Sequence, residues 1–333
     1  MKESDIRPEA LLRRYLDLSE RDAKACFTDV RKTPIPCVAC GTDKPVAQFD
    51  KNGFEYALCQ ACGTLYQTPR PPIPAFEAFY RQSESSRYWA EVFFPAVAEV
   101  RREKIFRPRV ERLAALCAQH KIDVRRLVDV GAGYGILLDE WRRRHPNVQA
   151  MAIEPSASLA QECRAKGFEV VEDIVENVKG LDNTADLLTC FEVLEHVYDP
   201  LEFVRVLMRL VRPGGYVFVS TLCIDGFDLQ VLWEKSTQIS PPHHINFLSV
   251  RGFTQLFERA GLVDVSVTTP GLLDVDIVRN VTRRDPGLLS NQRFLRGLLA
   301  DDGKAAAFQR FLAEQRLSSH VWVIGRKPAV GNF

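Results

Sequence analysis

The stretch Leu127-Val-Asp-Val-Gly-Ala-Gly-Tyr-Gly-Ile136 constrains this chain more than any other. Leu127 to Val130 is apolar and long enough for one buried strand. Gly131, Gly133 and Gly135 follow at alternating positions, and then helix formers from Ile136 to Trp141. This reads as strand, tight turn, helix. Glycine tolerates positive φ and lets a ligand approach the backbone with no Cβ in the way. The first N–H groups of the new helix have no partner in their own helix and point into the same space.

The following segments repeat the theme. Val148 to Ile153 predicts a second strand ending in Glu154, about 20 residues beyond the glycines, where a carboxylate can accept ribose hydroxyls. Phe168 to Val171 predicts a third, followed by Asp173. Ala185 to Phe191 predicts a fourth, running into Glu192-Val-Leu-Glu-His196. A helix to about Val211 precedes Arg212-Pro-Gly-Gly215 and the strand Tyr216–Ser220. Strands alternating with helices predict an α/β fold, a doubly wound, mostly parallel sheet with its ligand at the carboxyl ends of the strands.

Asp129-Val-Gly-Ala-Gly-Tyr-Gly135, Glu154, Asp173, Phe191-Glu-Val-Leu-Glu-His196 and Pro213-Gly-Gly215 together resemble the class I S-adenosylmethionine-dependent methyltransferases. The resemblance covers roughly residues 105–270. It implies a seven-stranded Rossmann-like sheet and S-adenosylmethionine as cofactor. It assigns Asp129, Gly131, Gly133, Gly135, Glu154, Asp173, Phe191 and Glu192 to cofactor binding. A nicotinamide enzyme more usually carries Gly-x-Gly-x-x-Gly, whereas the spacing here is Gly-x-Gly-x-Gly.

A second motif is independent of the first. Cys37-Val-Ala-Cys40 and Cys59-Gln-Ala-Cys62 are separated by eighteen residues, the template of a zinc ribbon. Two Cys-x2-Cys turns supply four thiolates to one ion. Four thiolates leave no open position for water, so the expected Zn2+ is structural. Val46–Phe49 and Phe54–Leu58 read as a hairpin turning at Lys51-Asn-Gly53. The other five cysteines are scattered and read as small buried residues.

These motifs divide the 333 residues into four parts: a helical extension (1–33), a zinc ribbon (34–70), a proline-led helical linker and lid (71–120), and a methyltransferase domain (121–333). The last carries insertions at 225–250 and 270–316. Tyr80, Tyr88, Trp89, Phe93 and Phe94 read mainly as core, with Tyr80 and Tyr88 as possible ligand contacts. Lys plus Arg number 44 against 43 Asp plus Glu, which gives a net charge of +1. That balance disfavours a nucleic-acid partner. The run Arg101, Arg102, Lys104, Arg107 and Arg109 reads as a solvated helix face. No apolar run reaches the roughly 18 residues that span a bilayer. The charged N-terminus lacks a signal-peptide core, so a cytoplasmic protein with no membrane partner is expected. Oligomeric state is not legible.

Methyl transfer to a hydroxyl needs alignment and removal of a proton, a task that suits histidine. The candidates are His196, just past the fourth strand, and His243 and His244, between the fifth and sixth. The ribbon, the proline-rich exit and the class I motifs together resemble nucleotide-sugar methyltransferases. In their ketosugar C-methyltransferase members a Glu-His pair precedes an aromatic-Ser motif. Here His243-His244-Ile-Asn-Phe-Leu-Ser249 stands in that place, with His244 at the family histidine and His243 where the Glu would be. The extra C-terminal domain of those enzymes is not seen. The reading is O-methylation of a small hydroxylated acceptor, a nucleotide sugar or glycan precursor, with His244 as base. The alternatives are an RNA methyltransferase, a C-directed sugar methyltransferase and a non-catalytic zinc-ribbon interaction protein.

Overall fold

The computed structural model describes residues 1–329. Eleven strands occur among them in chain order: β1 (Pro45–Lys51), β2 (Phe54–Cys59), β3 (Leu65–Gln67), β4 (Arg126–Val130), β5 (Gln149–Ile153), β6 (Glu169–Val171), β7 (Ala185–Phe191), β8 (Val211–Leu222), β9 (Asn246–Phe247), β10 (Val263–Thr268) and β11 (His320–Arg326). They form a seven-stranded sheet in the order β10-β11-β8-β7-β4-β5-β6 and a four-stranded sheet in the order β1-β2-β3-β9.

The large sheet is the expected α/β arrangement. β4 pairs in parallel with both β5 and β7, and β7 in parallel with β8. Leu127, Val128, Leu187, Leu188, Val217 and Val219 are fully buried in its centre, as parallel strands covered on both faces require. From β4 the chain winds outward through β5 and β6, then returns to β7 and proceeds the other way. The reversal puts a topological switch point between β4 and β7, where the crevice at the strand ends takes ligands. The helix Pro200–Leu210 shows how local signals fix its neighbours. Asp199 accepts the N–H groups of Leu201 and Glu202 at 3.1 Å each, and Pro200 opens the first turn. The helix then buries Phe203, Val204, Leu207 and Leu210, at about 1.5–3 kcal/mol for each large side chain.

The chain divides into two compact units. One comprises residues 94–221, 254–266 and 323 onward, and holds most of the large sheet. The other comprises 1–93, 222–253 and 267–322. In the latter the β1–β2 hairpin turns at Asn52 and Gly53, both at positive φ (51° and 78°), as a two-residue hairpin turn demands. The region read as an insertion at 270–316 folds as helices Asp274–Arg284, Arg293–Ala300 and Asp302–Glu314. They enclose a small core of Val275, Ile277, Val278, Leu299 and Leu312 with Leu232.

One expectation is corrected here. The basic run 101–109 is a solvated face only in part, at Lys104 and Arg107. Arg102 is mostly buried and donates to Asp139 at 2.8 Å and to Glu140 at 2.7 Å, while Arg107 reaches Glu140 at 3.3 Å. Arg109 is buried against Glu192. Its spacing fits a helix surface, but acidic partners 33 to 83 residues away claim the charges. No described helix is long and apolar enough to cross a membrane.

Candidate active site

In the unit built on the large sheet, the site begins where β4 ends. Gly131, Gly133 and Gly135 all have positive φ (71°, 55° and 65°), but for different reasons. A Cβ on Gly131 would meet the Val193 side chain at 2.5 Å, and one on Gly135 would meet Cys163 Sγ at 3.0 Å. These two are glycines because the protein itself comes close. A Cβ on Gly133 would meet nothing within 4 Å. That glycine faces open space. The helix Ile136–Arg144 starts directly from Gly135.

Glu154 is buried at the tip of β5. Its Oε2 accepts the Gly133 N–H at 2.8 Å and its Oε1 the Ser156 N–H at 2.9 Å. Burial raises its pKa. The carboxylate predicted for a ribose therefore also shapes the glycine turn. Asp129 lies beneath the turn, accepts the Thr189 hydroxyl at 2.7 Å, and has its pKa pushed up to about 7, chiefly by burial. Asp173, at the end of β6, is exposed. Its Oδ1 accepts from the Ile174 N–H at 2.8 Å and from Asn177 Nδ2 at 2.9 Å. Ile174 beside it is 45% exposed.

Across the switch point, Phe191 and Glu192 end β7. Glu192 has φ 57°, uncommon outside glycine, and the surroundings hold it there. Its N–H donates to the Ser220 carbonyl at 2.8 Å. Its carboxylate accepts from Ser220 Oγ at 2.7 Å and from Arg109 Nη2 at 2.8 Å. The Arg109 guanidinium lies 4.8 Å from the Phe191 ring centroid. Glu195 is buried, bonded to Thr221 Oγ1 at 2.6 Å, with its pKa raised to about 8 by burial and by Glu192. It sits in a short turn with His196, which is half-buried, and a ring nitrogen of His196 is within 4.8 Å of a Glu195 oxygen. Asp199, three residues beyond His196, caps the next helix. Arg109, Glu195 and Ser220 were not singled out from sequence as site residues. Only burial and partners reveal them. Phe94, expected in the core, stacks instead on Tyr134 of the glycine turn at 4.8 Å with planes 4° apart.

In the other unit the four cysteine sulfurs gather within 4.8 Å of one another. Cys37 and Cys62 are 3.6 Å apart, as are Cys40 and Cys59. The fourth strand of this small sheet comes from much later in the chain. β9 pairs with β3 through Leu65–Phe247 and Tyr66–Asn246. Ser249 Oγ donates to the Cys62 carbonyl at 2.5 Å and accepts the Gly252 N–H at 2.8 Å, so the start of the helix Val250–Arg259 is tied to the ribbon.

That pairing fixes the histidine loop. Tyr56 Oη donates to the His244 carbonyl at 2.5 Å. His244 Nδ1 lies 2.6 Å from the Gln238 carbonyl oxygen. A carbonyl only accepts, so Nδ1 carries the proton, and in the neutral ring Nε2 keeps its lone pair. His243 differs. It is buried, and its Nε2 is 2.9 Å from Ser85 Oγ among the rings of Tyr15, Phe79 and Tyr80. Of the two, His244 has the tautomer of a base and His243 the surroundings of an anchor.

Comparison with known proteins accords with the sheet. A structure of the plantazolicin methyltransferase BamL, in complex with a triazolic desmethylPZN analog and SAH, superposes with a TM-score of 0.50 over 74% of this chain and 92% of that one, at 14% identity. Such a likeness speaks to the fold alone. The ubiquinone biosynthesis O-methyltransferase of Xanthomonas oryzae pv. oryzae (strain PXO99A) is 34% identical over 118 residues, covering 33% of this chain and 48% of that protein. Its namesake from Cronobacter sakazakii is 38% identical over 103 residues, 29% of this chain and 42% of that protein. The chain thus spans about half the length of the curated relatives it matches. The profile of a family described as a methyltransferase domain matches residues 98–267, just over half of the chain and the stretch that carries the glycine turn, Glu154 and the β7 turn. The chain belongs to the S-adenosylmethionine-dependent methyltransferases.

Proposed function

We propose that the protein methylates a hydroxyl group on a small acceptor, with His244 as the general base. When bound, S-adenosylmethionine supplies a methyl group already activated by its sulfonium. On this reading Glu154 takes the ribose, Asp173 and the exposed Ile174 flank the base, and the space in front of Gly133 admits the donor's close approach. Asp129, Phe191 and Glu192 complete its wall. The observation that carries the assignment of the base is the His244–Gln238 hydrogen bond, which puts the proton of the neutral ring on Nδ1 and its lone pair on Nε2. His196, in its turn with a buried carboxyl, is the second candidate, and His243 is placed behind the loop.

The four cysteines are proposed to hold a structural Zn2+. A tetrahedral thiolate site with Zn–S near 2.3 Å has S···S edges of about 3.8 Å, and two sulfur pairs here stand at 3.6 Å. For the acceptor, two chemistries compete. The arrangement of ribbon, proline-rich exit and histidine loop favours a nucleotide sugar or a glycan precursor. The names of the relatives favour a hydroxylated ubiquinone precursor, although each match covers about a third of this chain. The four-part division at residues 33, 70 and 120 is retained as a functional proposal: extension, ribbon, lid and transferase.

The test is calorimetric titration of the zinc-loaded protein with S-adenosylmethionine and its demethylated product, then a methylation screen of nucleotide sugars and hydroxylated ubiquinone precursors. With a responding acceptor, His244→Ala is expected to lower turnover ~10²–10⁴-fold, the range of a general base, and to leave product affinity unchanged. Wild-type turnover in that variant would remove His244 as the base.

A further inference from the structure

We propose that Asp22, Ser85 and His243 form a buried positioning relay that reaches from the N-terminal helix to the histidine loop and sets the orientation of His244. The inference rests on the reading of His244 as the base. It gives a role to the helix Glu9–Phe27, in which the sequence shows no chemistry.

The relay is defined by its hydrogen bonds. Asp22 Oδ2 accepts the Ser85 N–H at 2.8 Å and the Ser85 hydroxyl at 2.5 Å, and Oδ1 accepts the Glu84 N–H at 3.3 Å. A serine hydroxyl has one proton. Ser85 gives it to the carboxylate, so its oxygen must accept from His243, whose Nε2 lies 2.9 Å away and is therefore the protonated nitrogen. Asp22, Ser85 and His243 are 8%, 0% and 4% exposed. Buried polar groups of this kind are costly when broken, and when satisfied they select one arrangement. Phe79 closes on the His243 ring edge-to-face at 4.9 Å, and Tyr15 lies at 5.5 Å. The same helix makes a second attachment, from Ser19 Oγ to the Pro241 carbonyl at 3.2 Å.

The orientation passes to His244 through the backbone. The amides of His243 and His244 both donate to the Ser240 carbonyl at 3.0 Å. With the His243 side chain pinned inward, the peptide plane that joins the two histidines has little freedom. His244 then leaves the turn in one direction, where the Gln238 carbonyl takes its Nδ1–H and Tyr56 holds its own carbonyl. Releasing His243 frees that plane, and the ring loses the partner that fixes its tautomer. A histidine held this way through outer hydrogen bonds depends on partners that never touch the reacting atoms.

The experiment is nitrogen NMR of the histidine rings in the full, zinc-loaded chain labelled at its imidazoles, with His244→Ala to assign the signals. The wild type is expected to show His244 as the single Nδ1–H tautomer. Asp22→Asn, Ser85→Ala and His243→Leu are expected to lose that signature and give averaged ring signals. His243→Gln, whose amide still donates to Ser85, is expected to restore it. Bound zinc and the ribbon's thermal transition, measured on each variant, report whether the unit that holds the relay is intact. A variant that loses either is misfolded, and the remaining ones carry the test. Unchanged His244 signals in the folded members of Asp22→Asn, Ser85→Ala and His243→Leu overturn the relay. That outcome is separate from a failure of His244 as base, which is read from His244→Ala turnover.

Discussion

The donor lobe and the ribbon with its histidine loop are built in opposite ways. In the donor lobe the site comes from short motifs at successive strand ends, and its bonds join neighbouring strands. Gly133 to Glu154 spans 21 residues and Glu192 to Ser220 spans 28. In the other unit three of the bonds that hold the histidine loop and the ribbon together cross a long stretch of chain: 158 residues from Ser85 to His243, 187 from Cys62 to Ser249 and 188 from Tyr56 to His244. The first design makes a site that a short sequence window can announce. The second makes a loop whose geometry depends on segments far away in the chain.

If that contrast is real, the two regions should fail separately. The largest effect is expected at the ribbon. If the four cysteines hold Zn2+ as proposed, Cys59→Ser or treatment with a chelator removes a tie worth several kcal/mol of folding free energy. Thermal unfolding should show loss of the ribbon and transfer should collapse, while titration still detects donor binding. Simultaneous loss of donor binding would break the comparison. Next comes Gly133→Arg. A side chain at φ 55° costs about 1–2 kcal/mol, and here it also fills the open space before the turn. Donor affinity is expected to fall by about 100-fold or more, with the ribbon's thermal transition unchanged. Wild-type affinity in the folded variant would mean that the donor site lies elsewhere.

The third test concerns pH. Glu195 is raised from 4.5 to about 8 in the folded protein, first by burial and then by the Glu192 charge. Between these values the folded state holds a proton that the unfolded chain has released. Stability therefore falls as pH rises from about 4.5 to about 8. Glu195→Gln keeps a neutral group in place and should flatten that slope in denaturant titrations at pH 5 and pH 8. An unchanged slope would show that Glu195 stays ionised in the folded lobe.

The same contrast decides what the sequence makes legible. The sheet, the glycine turn, Glu154 and the four-cysteine cluster follow from local spacing. Arg109 escaped because a guanidinium inside an arginine-rich helical run has the pattern of a surface, and nothing near it in the chain names Glu192 as its partner. His243 and His244 are adjacent, and in the sequence only a resemblance prefers His244. The partners Ser85 and Gln238, far from legible, are what set the two rings apart. Asp22 lies in a helix with no motif, and its role depends wholly on a serine 63 residues away. β9 is two residues long, too short for any periodicity to register.

That two-residue strand has a consequence for biogenesis. As the chain leaves the ribosome, the four cysteines emerge early and can capture their metal, but the edge of β3 stays open until residues 246–247 have been made. Leu65, Tyr66 and Gln67, each 0% exposed in the finished protein, wait through the synthesis of about 180 residues as a bare sheet edge, the kind of surface on which chains stick to one another. Nascent or prematurely ended chains should accordingly be the species that most need chaperone protection. In expression, yield should depend on how quickly synthesis passes residue 247.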